Sequence, residues 1–146
     1  MRIEAATLET LEDWLELRQV LWSWGLAEHR AEALAALANP GAVTFLARDD
    51  RGRAIGFAEA TLRHDYVNGC TISPAGFLEG IFVREPNRRR GVARALVKAV
   101  EDWTLSRGCR ELASDAWIDD GNSHRMHERL GFSETERVVY FRKSLG

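Results

Sequence analysis

Arg88-x-x-Gly91-x-Ala93 has the residue types and spacing to hold an anion. It sits in FLEGIFVREPNRRRGVARALV, Phe77 to Val97, which reads as an apolar strand stopping at Pro86, a basic turn, and a helix starting in that turn. A helix start leaves about four backbone N–H groups without intrahelical partners, and the aligned peptide dipoles add partial positive charge there. Gly91 lets the backbone approach an anion with no Cβ in the way, Ala93 is small enough for close contact, and Arg88, Arg89 and Arg90 add charge. The expected ligand is a phosphate. Neither G-x-G-x-x-G nor G-x-x-x-x-G-K-[ST] occurs in this segment. By itself the hexapeptide also suits a basic loop capping a surface helix; the strand before it and the apolar helix after it favour the phosphate loop.

Two carboxylates draw the eye next. Phe77, Glu79, Ile81 and Val83 are expected to point to one face of the strand, and a carboxylate on an otherwise apolar face is costly to bury unless paired or functional. Asp115 falls near the C-terminal end of a later strand, where open α/β sheets place their ligands.

The elements that must position these groups follow from periodicity and punctuation. Arg2 to Ala6 alternates as a short strand, and Thr7 or Thr10 caps a helix carrying Leu11, Trp14, Leu15, Leu17, Arg18 and Leu21 at helical spacing. That helix ends near Trp22-Ser23-Trp24-Gly25, where the two tryptophans either close the core or form a substrate wall. Glu28 to Ala38 is a second helix, ended by Asn39-Pro40-Gly41. Ala42 to Arg48 and Arg53 to Arg63 are strands joined by an Asp49-Asp50-Arg51-Gly52 turn. His64 to Pro74 is a turn-rich loop in which Asp65 and Tyr66 are either binding residues or a solvated tip. After the central strand, Gly76 to Val83, come a helix from Gly91 to Ser106, a strand from Arg110 to Ala116, a helix capped by Asn122 or Ser123 and running to Leu130, and a last alternating strand, Glu134 to Lys143. This order predicts one α/β domain, residues 1–146, around a mixed sheet.

The totals narrow the class. A chain of 146 residues, 45% hydrophobic and 29% charged, can bury a core without covalent staples. A net charge of −2 argues against a general nucleic-acid binder. Cys70 and Cys109 form neither a disulfide framework nor a metal-ligand spacing, so a reduced cytoplasmic protein without structural metal is expected. No secretory signal pattern opens the chain, and no run approaches the roughly 18 apolar residues of a membrane span.

The phosphate loop, the element order and the late segment Met126 to Phe132, MHERLGF, resemble the GNAT superfamily of N-acetyltransferases. Within it, DYVNGC at Asp65 to Cys70, FLEGIFV at Phe77 to Val83, GCRELASDA at Gly108 to Ala116 and ERVVYFRK at Glu136 to Lys143 resemble the aminoglycoside 6'-N-acetyltransferases. The resemblance implies the GNAT acyl-CoA N-acyltransferase fold and direct attack of a substrate amine on the thioester of acetyl-CoA, with neither cysteine as nucleophile. Such a reaction needs a proton acceptor for the amine, donors for the oxygen that gains charge, and an acidic cleft for a polycation.

The resemblance further implies that Asp115 and Glu79 bind the amino sugar and share the proton-accepting role, where the residues alone would equally suit a salt bridge at a strand end. Trp22, Tyr66 and Glu136 are further substrate candidates from their residue types, and Glu136 equally suits an ordinary exposed strand carboxylate. Asp119 and Asp120 suit the acidic cleft but equally suit a turn. Backbone groups of Ile81, Phe82 and Val83 are implied to bind the pantetheine arm, and Arg89, Arg90, Gly91, Val92 and Ala93 the pyrophosphate. His127 stands four residues before Gly131, where many superfamily members carry a tyrosine that protonates the departing thiolate; a histidine on a helix face also serves as packing. Where the family often has an asparagine contacting CoA, this chain has Asp120, with Asn122 two positions away as a substitute.

The expected activity is acetylation of an aminoglycoside 6'-amine, inactivating the drug; the alternative is the same fold acting on a polyamine or a protein amino group. Trp22, Trp24, Tyr66 and Trp117 favour a ring-bearing acceptor through flat apolar contact and cation–π attraction. A non-catalytic binding module would keep the phosphate loop without acids facing the cofactor. The alternating terminal strand is either an exposed edge or pairs with another protomer, and the resemblance implies a homodimer with these strands near the interface.

Overall fold

The computed structural model describes residues 1–146. They form two compact units, Met1–Asp115 and Ala116–Gly146. The first unit holds a five-stranded sheet in sequence order: β1 (Arg2–Ala5), β2 (Ala42–Arg48), β3 (Ala54–Arg63), β4 (Ala75–Val83) and β5 (Leu112–Ser114). The first four strands are antiparallel, while β5 runs parallel to β4. The mixed sheet expected from the sequence is therefore present.

Helices α1 (Leu11–Leu21) and α2 (Leu26–Ala38) cover one sheet face, and α3 (Val92–Ser106) covers the other. The alternation of β3 shows the division. Phe57 joins Leu11, Trp14, Leu15, Leu17 and Leu46 in a buried cluster, whereas its neighbour Gly56 faces Leu96 of α3. Val92, Leu96, Val97 and Val100 form the apolar stripe of α3, all buried. A side chain at Gly56 would meet the Phe82 carbonyl at 2.7 Å, and one at Gly76 would meet Thr104 at 2.7 Å, so these glycines set how closely the layers approach.

Several boundaries differ from expectation. α2 starts at Leu26, two residues early, with the Gly25 N–H donating to Glu28 Oε2 at 3.2 Å. β5 is three residues long, not seven, and Asp115 lies just beyond it. In β4 the expected single face for Phe77, Glu79, Ile81 and Val83 is broken. Gly80 pairs with Glu59 and Leu78 with Ala60, which leaves Glu79 as the extra residue of a β-bulge, and a bulge resets the alternation.

The second unit contains α4 (Gly121–Arg129). Its cap is Asp120, whose carboxylate accepts the Ser123 N–H at 3.0 Å, and not Asn122 or Ser123. Gly131, at φ 94°, and a Phe132 N–H to His127 carbonyl bond of 3.0 Å close the helix. The expected strand Glu134 to Lys143 does not form; residues 133–146 have no regular secondary structure. Alternation supplies β-propensity, but a strand exists only beside a hydrogen-bonding neighbour. Val139, Tyr140 and Phe141 stay exposed. No helix is long and apolar enough to cross a membrane.

Candidate active site

The ladder between β4 and β5 pairs only Gly76 with Leu112, Phe77 with Ala113 and Leu78 with Ser114. β4 continues to Val83, so from Glu79 onward its edge on this side has no strand partner. Parallel register then puts Glu79 and Asp115 one step past the last pair, on neighbouring strands where the ladder stops. The Ser114 hydroxyl donates to the Leu78 carbonyl at 3.2 Å and closes the pairing. The backbone groups that alternate toward this edge past Leu78 have no strand partner, so an extended ligand can add there as a strand would, although the Val83 carbonyl is already taken by Arg88.

Glu79 is half-buried and fully engaged. Its Oε1 accepts from the Thr61 hydroxyl at 2.7 Å and from Arg63 Nε at 3.1 Å, while Arg63 Nη2 donates to both carboxylate oxygens at 2.9 and 2.8 Å. The Arg63 guanidinium also lies 3.5 Å from the centre of the Phe77 ring. These bonds fix the position of the carboxylate on β4. Asp115 is exposed at the strand end.

The start of α3 fits a phosphate group on two observations. Gly91 is its cap with φ 82° and has no side chain to cap the first N–H groups, and a Cβ built on Gly91 would meet nothing within 4 Å. Arg89 is also left-handed, at φ 61°, so the turn 89–91 is of the type in which successive N–H groups face one concavity. Arg88 behaves differently from its neighbours. Its Nε donates to the Val83 carbonyl at 2.8 Å and its guanidinium lies 5.8 Å from the Phe82 ring centre, so it ties the turn back to β4. Arg89 and Arg90 remain exposed at the turn.

Trp22 is brought to the same strand. Its ring occupies the place of a side chain on Gly80, where a Cβ would come within 2.5 Å, and it stacks on Trp24 with ring centres 5.3 Å apart. Tyr66 projects from the loop before β4 and is 82% exposed. Glu111 anchors that loop by accepting the Thr71 N–H at 2.8 Å and the Ile72 N–H at 3.0 Å. These bonds, the Thr71 backbone first, hold its carboxyl below the usual carboxylate range.

The second unit carries His127, Glu136, Asp119, Asp120 and Asn122. His127 Nδ1 lies 2.7 Å from the Ser123 carbonyl, which can only accept, so Nδ1 carries a hydrogen; its ring meets Phe132 edge-on at 5.2 Å. Asp120 is occupied as helix cap, and the Asn122 side chain accepts from Arg125. Glu136 is exposed in the irregular C-terminal segment.

Sequence reasoning missed a buried polar group beside Trp22. Arg18 was expected only as part of a helix face, yet it is 3% exposed and binds Glu59, Glu32 and His29. A charged residue at an apolar helical position was the available signal.

The family model described as Acetyltransferase (GNAT) family matches residues 8–132. An aminoglycoside N(6')-acetyltransferase type 1 from Serratia marcescens is 50% identical over 139 residues, covering 94% of this chain and 95% of that protein. The crystal structure of the aminoglycoside antibiotic 6'-N-acetyltransferase AAC(6')-IG from Acinetobacter haemolyticus superposes with a TM-score of 0.96 at 48% identity, covering 100% of both chains. The structure of AAC(6')-Iy in complex with the bisubstrate analogue CoA-S-monomethyl-acetylneamine does so with a TM-score of 0.94 at 46% identity, covering 98% of this chain and 97% of that one.

Proposed function

Because the chain belongs to the acetyltransferase (GNAT) family, we propose that it transfers the acetyl group of acetyl-CoA to the 6'-amine of an aminoglycoside, inactivating the antibiotic. The observation that carries the reading is the end of the β4–β5 ladder at Leu78 and Ser114, after which Glu79 and Asp115 are the next residues of each segment and the β4 edge is unpaired. Relatives at 45–50% identity named as aminoglycoside N(6')-acetyltransferases support the acceptor.

Acetyl-CoA supplies the activated acyl group as a thioester. Backbone N–H groups of Gly91, Val92 and Ala93, with Arg89 and Arg90, are the phosphate cradle, and the β4 edge at Ile81 to Val83 is the seat for the pantetheine arm. Glu79, oriented by Arg63 and Thr61, binds the substrate's ammonium groups. Asp115 takes the proton from the attacking amine. Trp22 and Tyr66 offer flat faces to the sugar rings, and Glu136 adds negative charge. His127 is the proposed proton donor to the thiolate; with Nδ1 turned to Ser123, its Nε2 donates only when the ring is doubly protonated. Asn122 is the proposed side-chain contact to CoA.

The family match crosses the boundary between the two units, which supports one catalytic domain over residues 1–146. Exposed Val139, Tyr140 and Phe141 on an alternating segment without a strand neighbour support a homodimer in which that segment finds its partner edge. Two free cysteines suit the cytoplasm. Removing residues 133–146 is expected to shift gel filtration to the monomer mass; an unchanged dimer removes this assignment.

The test of the reaction is thiol release from acetyl-CoA with kanamycin or tobramycin, beside spermidine and a lysine peptide. Turnover with aminoglycosides alone is expected, and turnover only with spermidine or peptide overturns the acceptor. Asp115→Asn is expected to lower kcat by about 10²-fold or more with acetyl-CoA binding intact; near-wild-type turnover removes Asp115 as proton acceptor.

A further inference from the structure

The first unit buries a charge network that the proposed reaction does not use directly. Arg18 on α1 contacts Glu59 through one guanidinium nitrogen, at 3.3 and 3.2 Å from its two oxygens, and Glu32 of α2 through another. Glu59 sits on β3 with its side chain 13% exposed and also accepts the Trp14 indole N–H at 2.9 Å. Burial pushes the Glu59 carboxyl up, against the opposing pull of Arg18 and Trp14. Such buried pairs are a poor source of stability, since apolar replacements of similar volume often do as well. Their geometry suggests what else they do.

The network ends on the tryptophans. Arg18 Nε donates to His29 Nδ1 at 3.2 Å; a guanidinium has only donors, so Nδ1 accepts and Nε2 carries the hydrogen. That Nε2 faces the Trp22 carbonyl at 3.1 Å and donates to it. His29 is fully buried, and its ring stacks on Trp24 with centres 5.1 Å apart. The Arg18 guanidinium itself lies 4.9 Å from the Trp22 ring centre. Trp22 is thus held at its carbonyl, at its ring and through its stacked neighbour, in a connection between α1 and α2 that has no regular structure of its own. On the far side its ring presses on Gly80, next to Glu79, and Gly80 pairs with Glu59 across the ladder.

We propose that Arg18, Glu59 and His29 are positioning residues that fix the stacked Trp22–Trp24 pair as the amino-sugar wall beside Glu79. The inference rests on Trp22 being a substrate contact. It assigns to the network control of acceptor affinity, distinct from cofactor affinity and from folding. Arg18 and Glu59 work through Trp22 and touch no reacting atom.

Two variants test it. Arg18→Met with Glu59→Gln removes both charges together, so neither is left buried and unpaired, and His29→Phe keeps a ring under Trp24 while removing both hydrogen bonds. Each is expected to raise the KM for kanamycin about tenfold while the KM for acetyl-CoA stays within about twofold, the pattern of lost acceptor binding. The circular-dichroism couplet of the stacked indoles is expected to weaken in both. An unchanged kanamycin KM in a folded variant overturns the proposal, as does an equal rise in both KM values or the failure of both variants to fold. Lack of kanamycin turnover by the wild type defeats the proposed reaction instead; an unaltered couplet in the variants then still overturns the network.

Discussion

Gly80→Ala isolates the contact between the central strand and Trp22. Gly80 has no left-handed backbone, so alanine there meets only a steric cost. Its Cβ would lie 2.5 Å from Trp22 Cζ2 and 2.6 Å from Cη2. Carbon atoms in ordinary contact stand about 3.5–4.0 Å apart, so the ring must retreat by about 1 Å. Trp24 stacked at 5.3 Å, Phe57 edge-on at 5.9 Å and the Arg18 guanidinium at 4.9 Å occupy its surroundings. The strand yields no more easily, because Gly80 is laddered to Glu59. Overpacking of this kind costs about 1–3 kcal/mol, which for a chain of this length lowers the melting midpoint by about 3–10 °C. Thermal unfolding by circular dichroism reads the cost, and steady-state kinetics with varied kanamycin reads the displacement. Both a lower midpoint and a higher kanamycin KM are expected. A wild-type midpoint with a wild-type KM would refute the claim that Trp22 is pinned over β4.

Gly91→Ala meets no atom but forces a side chain into φ 82°, a cost of about 1–2 kcal/mol. The turn is expected to relax, raising the acetyl-CoA KM about three- to tenfold with the kanamycin KM unchanged; an unchanged acetyl-CoA KM removes Gly91 from the cradle. Glu111 titrates below its unfolded value of 4.5, so its tether to Thr71 and Ile72 is fully present above that pH and is lost as pH falls through the lower folded value. Hydrogen exchange at the Thr71 and Ile72 amides, corrected for intrinsic rate, should therefore lose protection in acid, and Glu111→Gln should abolish the dependence. Equal protection from neutral pH down to about pH 3 would contradict this assignment.

Much of the fold was legible because its signals are local. Apolar spacing marked α1 and α3, Asn39-Pro40-Gly41 ended α2, Asp49 to Gly52 turned β2 into β3, and Gly91 sits as the left-handed cap where the R-x-x-G-x-A spacing placed it. These features depend on each residue's own backbone preferences and on neighbours within a turn. The acids Glu79 and Asp115 were legible as types out of place. Their adjacency was not, because it depends on the register of a three-residue parallel ladder between segments more than thirty positions apart. The bulge at Glu79, the engagement of its carboxylate by Arg63 and the turning back of Arg88 onto Val83 likewise follow from cross-strand geometry. At the C-terminus the alternation of Glu134 to Lys143 expressed a preference for extended backbone, yet whether that becomes a strand depends on an edge to pair with. Arg18 shows the same division: its place on an apolar helix stripe was visible in the sequence, while the partners that make its burial tolerable, Glu59, Glu32 and His29, come together only when α1, α2 and β3 pack.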